Sequence, residues 1–247
     1  MRKFQTWTIL LSLACGPADA ALLSRLSGQA YYDDVLDVTW IADAHLAATN
    51  SFGVAGIMPS GEATWAIANE WIAAMNAEAF LGVSDWRLPI TIQPDTTCSM
   101  QDASLGSPEL GYGYGCTGSE LGFLFHTTLG NVGQADANGV PTGACSQLPP
   151  YCVTNSGPFA NLQGHFWSGT LFAPVDGFAW SFVADDGSQG IHPFDPQYSP
   201  LIPWAVRAGD IAVVPIPTTA LLLGSGLAAL WGRQLLRRTA AFTPKCV

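Results

Sequence analysis

Phe178-Ala179-Trp180-Ser181-Phe182-Val183 is the stretch of sequence that decides the fold. Its three large aromatic side chains occupy every second position, which is the pattern of a β-strand that buries one face. Two other runs rich in aromatic and β-branched residues, 165–168 and 204–207, lie on either side of it. This part of the chain is therefore predicted to be β-structure.

The part of the domain that precedes these strands is predicted to contain a hairpin or two short strands, and two helices. Residues 28–41 (GQAYYDDVLDVTWI) have the composition of a hairpin or of two short strands. A helix is predicted from Ser60, as its N-cap, to about Asn76, and a second, shorter helix from Ser119 to near Gly130. No internal repeat is visible, so the sequence predicts a single compact α+β domain.

The charge of this domain restricts its partners. Between residues 21 and 212 the only basic side chains are Arg25, Arg87 and Arg207, and Lys is absent. The same stretch holds 18 of the 19 acidic residues, so three cations against 18 acids give a formal net charge of −15. Such a surface repels phosphate and sulfate polyanions, which excludes nucleic acid and leaves neutral glycans, cations or basic proteins.

Four cysteines lie inside the domain, at positions 98, 116, 145 and 152, and they allow three pairings. The simplest pairing predicts the disulfides Cys98–Cys116 and Cys145–Cys152, each closing a loop rich in Gly, Ser and Pro. A zinc site is the alternative, but no CxxC spacing and no nearby pair of His favours it. Disulfides are typical of an oxidising compartment outside the cytosol.

The N-terminus has the features of a secretory signal peptide. A basic start, an apolar core too short to cross a bilayer and a small-x-small cleavage motif follow one another: Met1-Arg2-Lys3, WTILLSLA at 7–14, and Ala18-Asp19-Ala20. We expect cleavage between Ala20 and Ala21, which makes residues 1–20 a signal peptide. Cys15 raises the alternative of a lipoprotein, although Ser12 stands where a lipobox has Leu.

A second apolar segment follows the domain. It begins with Val214-Pro215-Ile216-Pro217, continues without charge from Thr218 to Gly232, and ends in a basic cluster of Arg233, Arg237 and Arg238. A helix over residues 218–236 would be about 28 Å long, close to the thickness of the hydrocarbon core of a membrane. An ordinary C-terminal membrane anchor is one interpretation.

The same three parts resemble the PEP-CTERM sorting signal of exopolysaccharide-producing bacteria, with VPIP in place of VPEP. The resemblance implies that residues 213–238 are a sorting signal, with residues 239–247 as a short cytoplasmic tail. The protein would then be anchored transiently in the membrane, until an exosortase-type processing protease removes the sorting signal. The protein would pass from the inner membrane to the cell surface or the extracellular space.

Motifs along residues 21–212 resemble those of the Lcl C-terminal domain family (domain of unknown function 1566). In chain order they are VTWIADA at 38–44, TW at 64–65, DWRLP at 85–89, EL at 120–121, LGN at 129–131, GPF at 157–159, FWS at 166–168 and WAVRAGD at 204–210. The TW, WRLP and EL motifs also resemble the formylglycine-generating enzymes. That resemblance implies a C-type-lectin-like variant with two helices, small antiparallel sheets and long disulfide-stapled loops. The oxidase activity of those enzymes is not implied, because it needs a cysteine pair late in the domain.

Catalytic motifs are absent from the sequence. The four His lie in unlike contexts without HExxH spacing, and neither a GxSxG motif nor a P-loop is present. No catalytic residue and no cofactor are therefore predicted. Two carboxylates brought together from distant positions would make a glycosidase, so an uncharacterised extracellular hydrolase is the alternative to a non-enzymatic protein.

Arg87 and Arg207 are candidate ligand-binding residues, since each lies beside a Trp in a domain with one other cation. Either would bind an anionic group of a ligand. The structural alternative is a buried or stacked arginine that is hydrogen-bonded to Asp85, Glu120 or Asp210 and packed on a neighbouring Trp.

Tyr112 and Tyr114 are candidates for stacking on a sugar ring, because they lie in a Gly-rich segment beside Cys116 that is predicted to be an exposed loop. Acidic residues are weak candidates for Ca²⁺ ligands, with turn residues as the alternative: Asp33, Asp34, Asp37, Asp185 and Asp186. No other metal is predicted.

These features predict an exported cell-surface or matrix protein that binds extracellular carbohydrate or takes part in adhesion. The association of the Lcl namesake with glycosaminoglycan adhesion motivates this expectation. The net charge of −15 argues against a sulfated ligand for this chain. A purely structural component of the extracellular matrix is a third class.

Overall fold

The computed structural model describes residues 21–104, 110–194 and 200–211. Ala20 of the predicted cleavage site, the predicted sorting signal at 213–238 and the tail at 239–247 lie outside these residues. In the described part of the chain, no helix is both long enough and apolar enough to cross a membrane.

Nine strands among the described residues form two antiparallel sheets. The first, here called the terminal sheet, has the strand order β1-β2-β3-β9, with β1 at Leu22–Arg25, β2 at Ala30–Asp33, β3 at Val38–Ile41 and β9 at Val206–Ala208. The second, the five-stranded sheet, has the order β4-β5-β8-β7-β6, with β4 at Met100–Asp102, β5 at Leu110–Tyr114, β6 at His165–Leu171, β7 at Phe178–Val183 and β8 at Ser188–Pro193. Together with three short or medium helices, these sheets make the fold α+β, as the sequence predicted.

The terminal sheet contains the hairpin predicted at residues 28–41, formed by β2 and β3. Its register aligns Leu22 with Asp33, Asp33 with Val38, and Val38 with Ala208. The start of β1 and the end of β9 therefore lie at the same end of the sheet, three strand spacings of about 4.8 Å apart. The chain enters and leaves the domain at this end.

The decisive stretch at residues 178–183 is strand β7, flanked by β6 and β8. Four of its six residues are buried, so both faces are covered rather than the single face that the alternating pattern predicted. Ala179 and Phe182 belong to the main hydrophobic core. Trp180 packs with Leu110 and Phe172 in a separate small cluster, where Phe172 and Trp180 make an edge-to-face contact at 5.8 Å.

Three α-helices occur in the described residues: α1 at Leu46–Thr49, α2 at Trp65–Ala77 and α3 at Glu120–Phe123. The prediction that Ser60 caps the first long helix was wrong. Helix α2 begins at Trp65, where the hydroxyl of Thr64 accepts a hydrogen bond from the amide of Ile67, whereas the Ser60 hydroxyl donates to Glu62 at 2.8 Å. Ala63 pairs with Leu201 as an isolated bridge, so the helix begins only after this residue.

The second predicted helix begins at Glu120, directly after Ser119, and continues as a π-helical turn at Leu124–Thr128. Ser119 makes no capping hydrogen bond, because its hydroxyl accepts from the amide of Ile92 at 3.1 Å. The helix nevertheless buries the side chains of Leu121, Leu124 and Phe125, which are those the sequence placed on one face.

Tryptophans fill the main core. Trp40, Trp71, Trp167 and Trp204 are at most 1 % exposed, and the rings of Trp40 and Trp204 lie 4.7 Å apart. The indole N–H of Trp204 donates to the carbonyl of Ile41 at 2.9 Å. Burying an indole and also satisfying its N–H fixes its position, so this contact joins the terminal sheet firmly to the core.

Candidate functional site

All three described arginines are engaged by carboxylates. Each guanidinium donates two hydrogen bonds to one acid: Arg25 to Asp210 at 2.6 and 2.7 Å, Arg87 to Glu120 at 2.7 and 2.8 Å, and Arg207 to Asp85 at 2.7 and 2.9 Å. Such two-point pairs use the donors that would otherwise bind an anionic ligand. The geometry therefore supports the structural alternative for Arg87 and Arg207 rather than their predicted role in ligand binding.

The arginines change the pKa of two of the carboxyls that they contact. The hydrogen bonds from Arg207 lower the pKa of Asp85, and those from Arg25 lower the pKa of Asp210. Both carboxyls therefore stay ionised to a lower pH than they would without the arginine.

The predicted calcium ligands do not converge. Asp33 is fully buried, and its oxygens accept hydrogen bonds from the amides of Val35 and Leu36 and from the hydroxyl of Thr128 at 2.7 Å. It caps the β2–β3 turn. Asp34 and Asp37 are exposed at the same turn, where Asp37 accepts from the Tyr32 hydroxyl at 2.9 Å.

Among the described residues, a different set of side chains has the spacing of metal ligands. Asp95, Cys98 and Cys116 have ligand atoms within 4.8 Å of one another. The two sulfurs are joined in a disulfide, so they are not available as thiolate ligands. Asp95 instead accepts hydrogen bonds from the Thr97 hydroxyl and the Gly118 amide, which organises the loop around the disulfide.

Asp185 and Asp186 lie in the β7–β8 turn, on the wall of a cleft of about 470 Å³ that we call the polar cleft. Its polar lining is formed by Gln134, Ser146, Gln147, Tyr151, His165, Asp185 and Asp186. His165 and both glutamines are exposed, whereas Tyr151 and the two aspartates are half-buried. Neither Lys nor Arg is among the residues that line the cleft.

The second disulfide builds one wall of this cleft. Cys145 and Cys152 are bonded, as predicted, and close a loop that packs on the β7–β8 turn. The amide of Cys152 donates to the carbonyl of Asp185 at 3.1 Å, and the amide of Gln134 donates to the carbonyl of Asp186 at 2.8 Å. One backbone hydrogen bond from the disulfide loop and one from Gln134 therefore hold the turn that carries both carboxylates.

Each of these carboxylates keeps one oxygen available. One oxygen of Asp185 accepts from the amide of Gly164 at 2.9 Å, and one oxygen of Asp186 accepts from the amide and hydroxyl of Ser188 at 2.9 and 2.6 Å. The other oxygen of each makes no hydrogen bond to a described residue. The fixed oxygens orient the side chains, and the remaining oxygens are acceptors that face solvent or a ligand.

His126 supports the β7–β8 turn from the protein side. Its ring nitrogens face the carbonyl oxygens of Gly187 at 3.0 Å and Asn131 at 3.3 Å. Burial lowers the pKa of His126, and the two carbonyl contacts oppose this effect only in part. The ring joins the π-helical turn at Leu124–Thr128 to the β7–β8 turn.

The prediction that Tyr112 and Tyr114 lie in a loop was wrong. Both belong to strand β5. Both are half-buried. Burial, and then the charge of Asp186, raise the pKa of Tyr114. The first disulfide explains the error: Cys98 precedes β4 and Cys116 follows β5, so the bridge closes a strand pair rather than an irregular loop.

Tyr112 lines a second concavity, the aromatic groove, of about 260 Å³. Its other side chains are Asp102, Leu110, Phe172, Trp180 and Ile191. Phe172 and Trp180 are 4 % and 2 % exposed, so their ring faces are not open to a ligand, whereas Ile191 is 42 % exposed. The groove is an apolar surface with one carboxylate at its edge.

Sequence reasoning missed Gln134, Gln147, Tyr151 and His165 as components of a site. They come from a loop and a strand end that only the fold brings to the β7–β8 turn. The one available signal was the Cys145–Cys152 pair, which marks the loop as ordered. Comparisons with protein-family models, with curated proteins and with solved structures find no match to this chain.

Proposed function

We propose that this protein is an exported, non-enzymatic protein of the cell surface or extracellular matrix that binds carbohydrate in the polar cleft. The observation that carries the proposal is the lining of the cleft, which combines amide, phenol, imidazole and carboxylate groups without a cation. Its volume of about 470 Å³ falls in the usual range of small-ligand sites. Hydroxyl-rich sugars offer donors to the free carboxylate oxygens and acceptors to the amide groups.

The charge distribution supports a neutral or amine-bearing glycan as the ligand. All three arginines of the domain are engaged with acids, so no free guanidinium is left among the described residues for a sulfate or uronate group. An anionic polysaccharide would have to approach a domain of net charge −15. We therefore expect sulfated glycans to bind least.

Two further parts of the proposal rest on resemblance and composition. The small antiparallel sheets, few helices and disulfide-closed loops are consistent with a C-type-lectin-like variant related to the Lcl C-terminal domain family. The predicted signal peptide and PEP-CTERM-like tail support export, transient anchoring in the inner membrane and processing by an exosortase. The two disulfides support an oxidising destination.

A glycan array with neutral, amine-bearing and sulfated glycans tests the ligand, together with a broad panel of glycosidase substrates. Tyr151→Phe removes one phenol from the polar cleft, and Tyr112→Phe makes the same change in the aromatic groove. Loss of one ligand hydrogen bond of about 1 kcal/mol weakens binding about fivefold. We expect that loss for Tyr151→Phe and unchanged binding for Tyr112→Phe.

Other outcomes would replace the proposal. Weakening by Tyr112→Phe alone would move the site to the aromatic groove. Turnover of a substrate without retention of any glycan would identify a hydrolase. Blank results in both assays, with co-purification of exopolysaccharide or fibres, would identify a structural matrix component.

A further inference from the structure

We propose that Asp34 is a binding site for the α-ammonium group that signal-peptide cleavage creates at Ala21. This inference rests on the proposed export of the protein. The backbone nitrogen of Ala21 lies 2.8 Å from Oδ1 of Asp34 and donates a hydrogen bond to it. The residue that the sequence predicts as the mature N-terminus is thus already placed against a carboxylate.

The terminal sheet fixes both groups in position. Strand β1 begins at Leu22, which pairs with Asp33, and the amide of Asp34 also donates to the carbonyl of Ala21 at 3.4 Å. Buried Asp33 caps the turn that follows, through the amides of Val35 and Leu36. Asp34 is therefore held between an ordered strand and an ordered turn, and its carboxylate faces Ala21.

Cleavage changes the chemistry at this nitrogen. Hydrolysis of the bond between Ala20 and Ala21 adds water, so the carbonyl carbon of Ala20 becomes a carboxylate and the nitrogen of Ala21 becomes an ammonium with three protons. The neutral N–H···O contact then becomes a charge-assisted hydrogen bond between opposite charges, which is shorter and stronger. The folded domain gains an ion pair that the uncleaved chain does not have.

The surrounding charges leave Asp34 as the partner. The oxygens of Asp33 are occupied inside the protein, and Asp37 accepts from the hydroxyl of Tyr32. Arg25, the cation of strand β1, is paired with Asp210. The groups around Ala21 on β1, β2 and the turn are therefore acidic or already paired, and they favour the charged form of the amine.

The pair also depends on the cleavage position. Each residue of an extended strand advances the chain by about 3.3 Å, so a cut one residue away would displace the ammonium beyond hydrogen-bond distance of Asp34. The small-x-small motif at residues 18–20 and the register of β1 thus point independently to the same nitrogen.

The test uses the protein exported by cells that express the full chain. Its intact mass gives the first residue. The folded protein is acylated at a series of pH values, and the rate, read from the N-terminal peptide, gives the pKa of the α-amino group. Lys is absent from residues 21–212, so the α-amine is the only amine of that region. An isolated α-amino group has a pKa of about 7.7–8.0. We expect a mass that begins at Ala21 and a pKa raised above this range.

Asp34→Asn keeps an acceptor in place and removes the charge, so the pKa should return to the ordinary range. Asp37→Asn is the matched control, since it removes the same charge from the same turn without touching Ala21, and it should lower the pKa much less than Asp34→Asn does. A mature protein that begins at Ala21 but has the same pKa in all three forms would overturn the ion pair while leaving the proposed export intact. A mass that begins at Met1 would overturn both.

Discussion

The terminal sheet and the five-stranded sheet use different means of stabilisation. All three arginines of the domain contact the terminal sheet: Arg25 lies in β1, Arg207 lies in β9, and the backbone of Arg87 exchanges two hydrogen bonds with Val206 of β9. Both disulfides and both concavities belong instead to the five-stranded sheet and its loops. The described part of that sheet contains no arginine.

This difference separates the frame of the domain, the terminal sheet with its ion pairs, from the surface that we propose as the binding site. Ion pairs hold the strands through which the chain enters and leaves the domain. Covalent bridges hold the loops around the clefts, where paired charges would fill the space that a ligand needs. Neither Lys nor Arg lines the polar cleft among the described residues, and we expect this to disfavour polyanionic ligands.

The largest effect should come from breaking the frame at Arg87. The Arg87 and Glu120 side chains are 29 % and 12 % exposed, and Glu120 also accepts from the amide of Ile90 at 2.7 Å. Removing one partner of a largely buried pair leaves an uncompensated charge and costs about 3–4 kcal/mol. We expect Arg87→Ala to abolish export of folded protein.

The matched comparison is Arg207→Ala, because its partner Asp85 is 59 % exposed and solvent screens that pair. Export yield and melting temperature of the two variants measure the difference. Normal yield and an unchanged melting temperature for Arg87→Ala would show that this pair does not hold the frame.

Removing the disulfides one at a time should give the next largest effects. The bridges close loops with sequence separations of 18 and 7 residues. Loop entropy then predicts losses of about 3 kcal/mol for Cys98→Ser with Cys116→Ser, and about 2 kcal/mol for Cys145→Ser with Cys152→Ser. Urea unfolding of both double variants measures these losses.

Binding should follow the opposite order. Only the Cys145–Cys152 loop forms a wall of the polar cleft, so its removal should reduce glycan retention more than removal of the more stabilising Cys98–Cys116 bridge. Equal loss of retention in two folded double variants would contradict the assignment of binding to the polar cleft.

The strands and the ion pairs could be predicted from the sequence better than the polar cleft. The alternation at Phe178, Trp180 and Phe182 identified β7, and the scarcity of cations at Arg87 and Arg207 identified two structural ion pairs as an alternative. These signals are local, because a strand has a period of two and an unpaired arginine in an acidic domain finds an acid.

The cleft depends on contacts that no local pattern encodes. The Cys152 amide reaches the carbonyl of Asp185 across 33 residues, and His165 belongs to a strand end between them. Local reasoning also failed at Ser60 and Tyr114, where tertiary contacts decided the outcome: the bridge between Ala63 and Leu201 delays the helix, and pairing with Ser188 makes the Gly-rich segment a strand. A capping residue or a glycine permits a helix end or a turn, whereas pairing with another strand determines which structure forms.

The smallest expected effect concerns His126, whose ring contacts the β7–β8 turn at the polar cleft. Folding lowers the pKa of His126 from its ordinary value of 6.5, so the unfolded chain binds a proton more readily than the folded one. The free energy of unfolding should therefore be independent of this group above about pH 6.5 and decrease as the pH falls below it.

His126→Asn lacks the titrating ring, and its stability should decline less between pH 7.5 and 5.5, as measured by urea midpoints at constant ionic strength. His165→Asn is the matched control, because it makes the same substitution at an exposed histidine. If the wild-type protein and His126→Asn lose stability in parallel, the ring is not buried as a neutral group, and the turn that carries Asp185 and Asp186 is held by its backbone contacts alone.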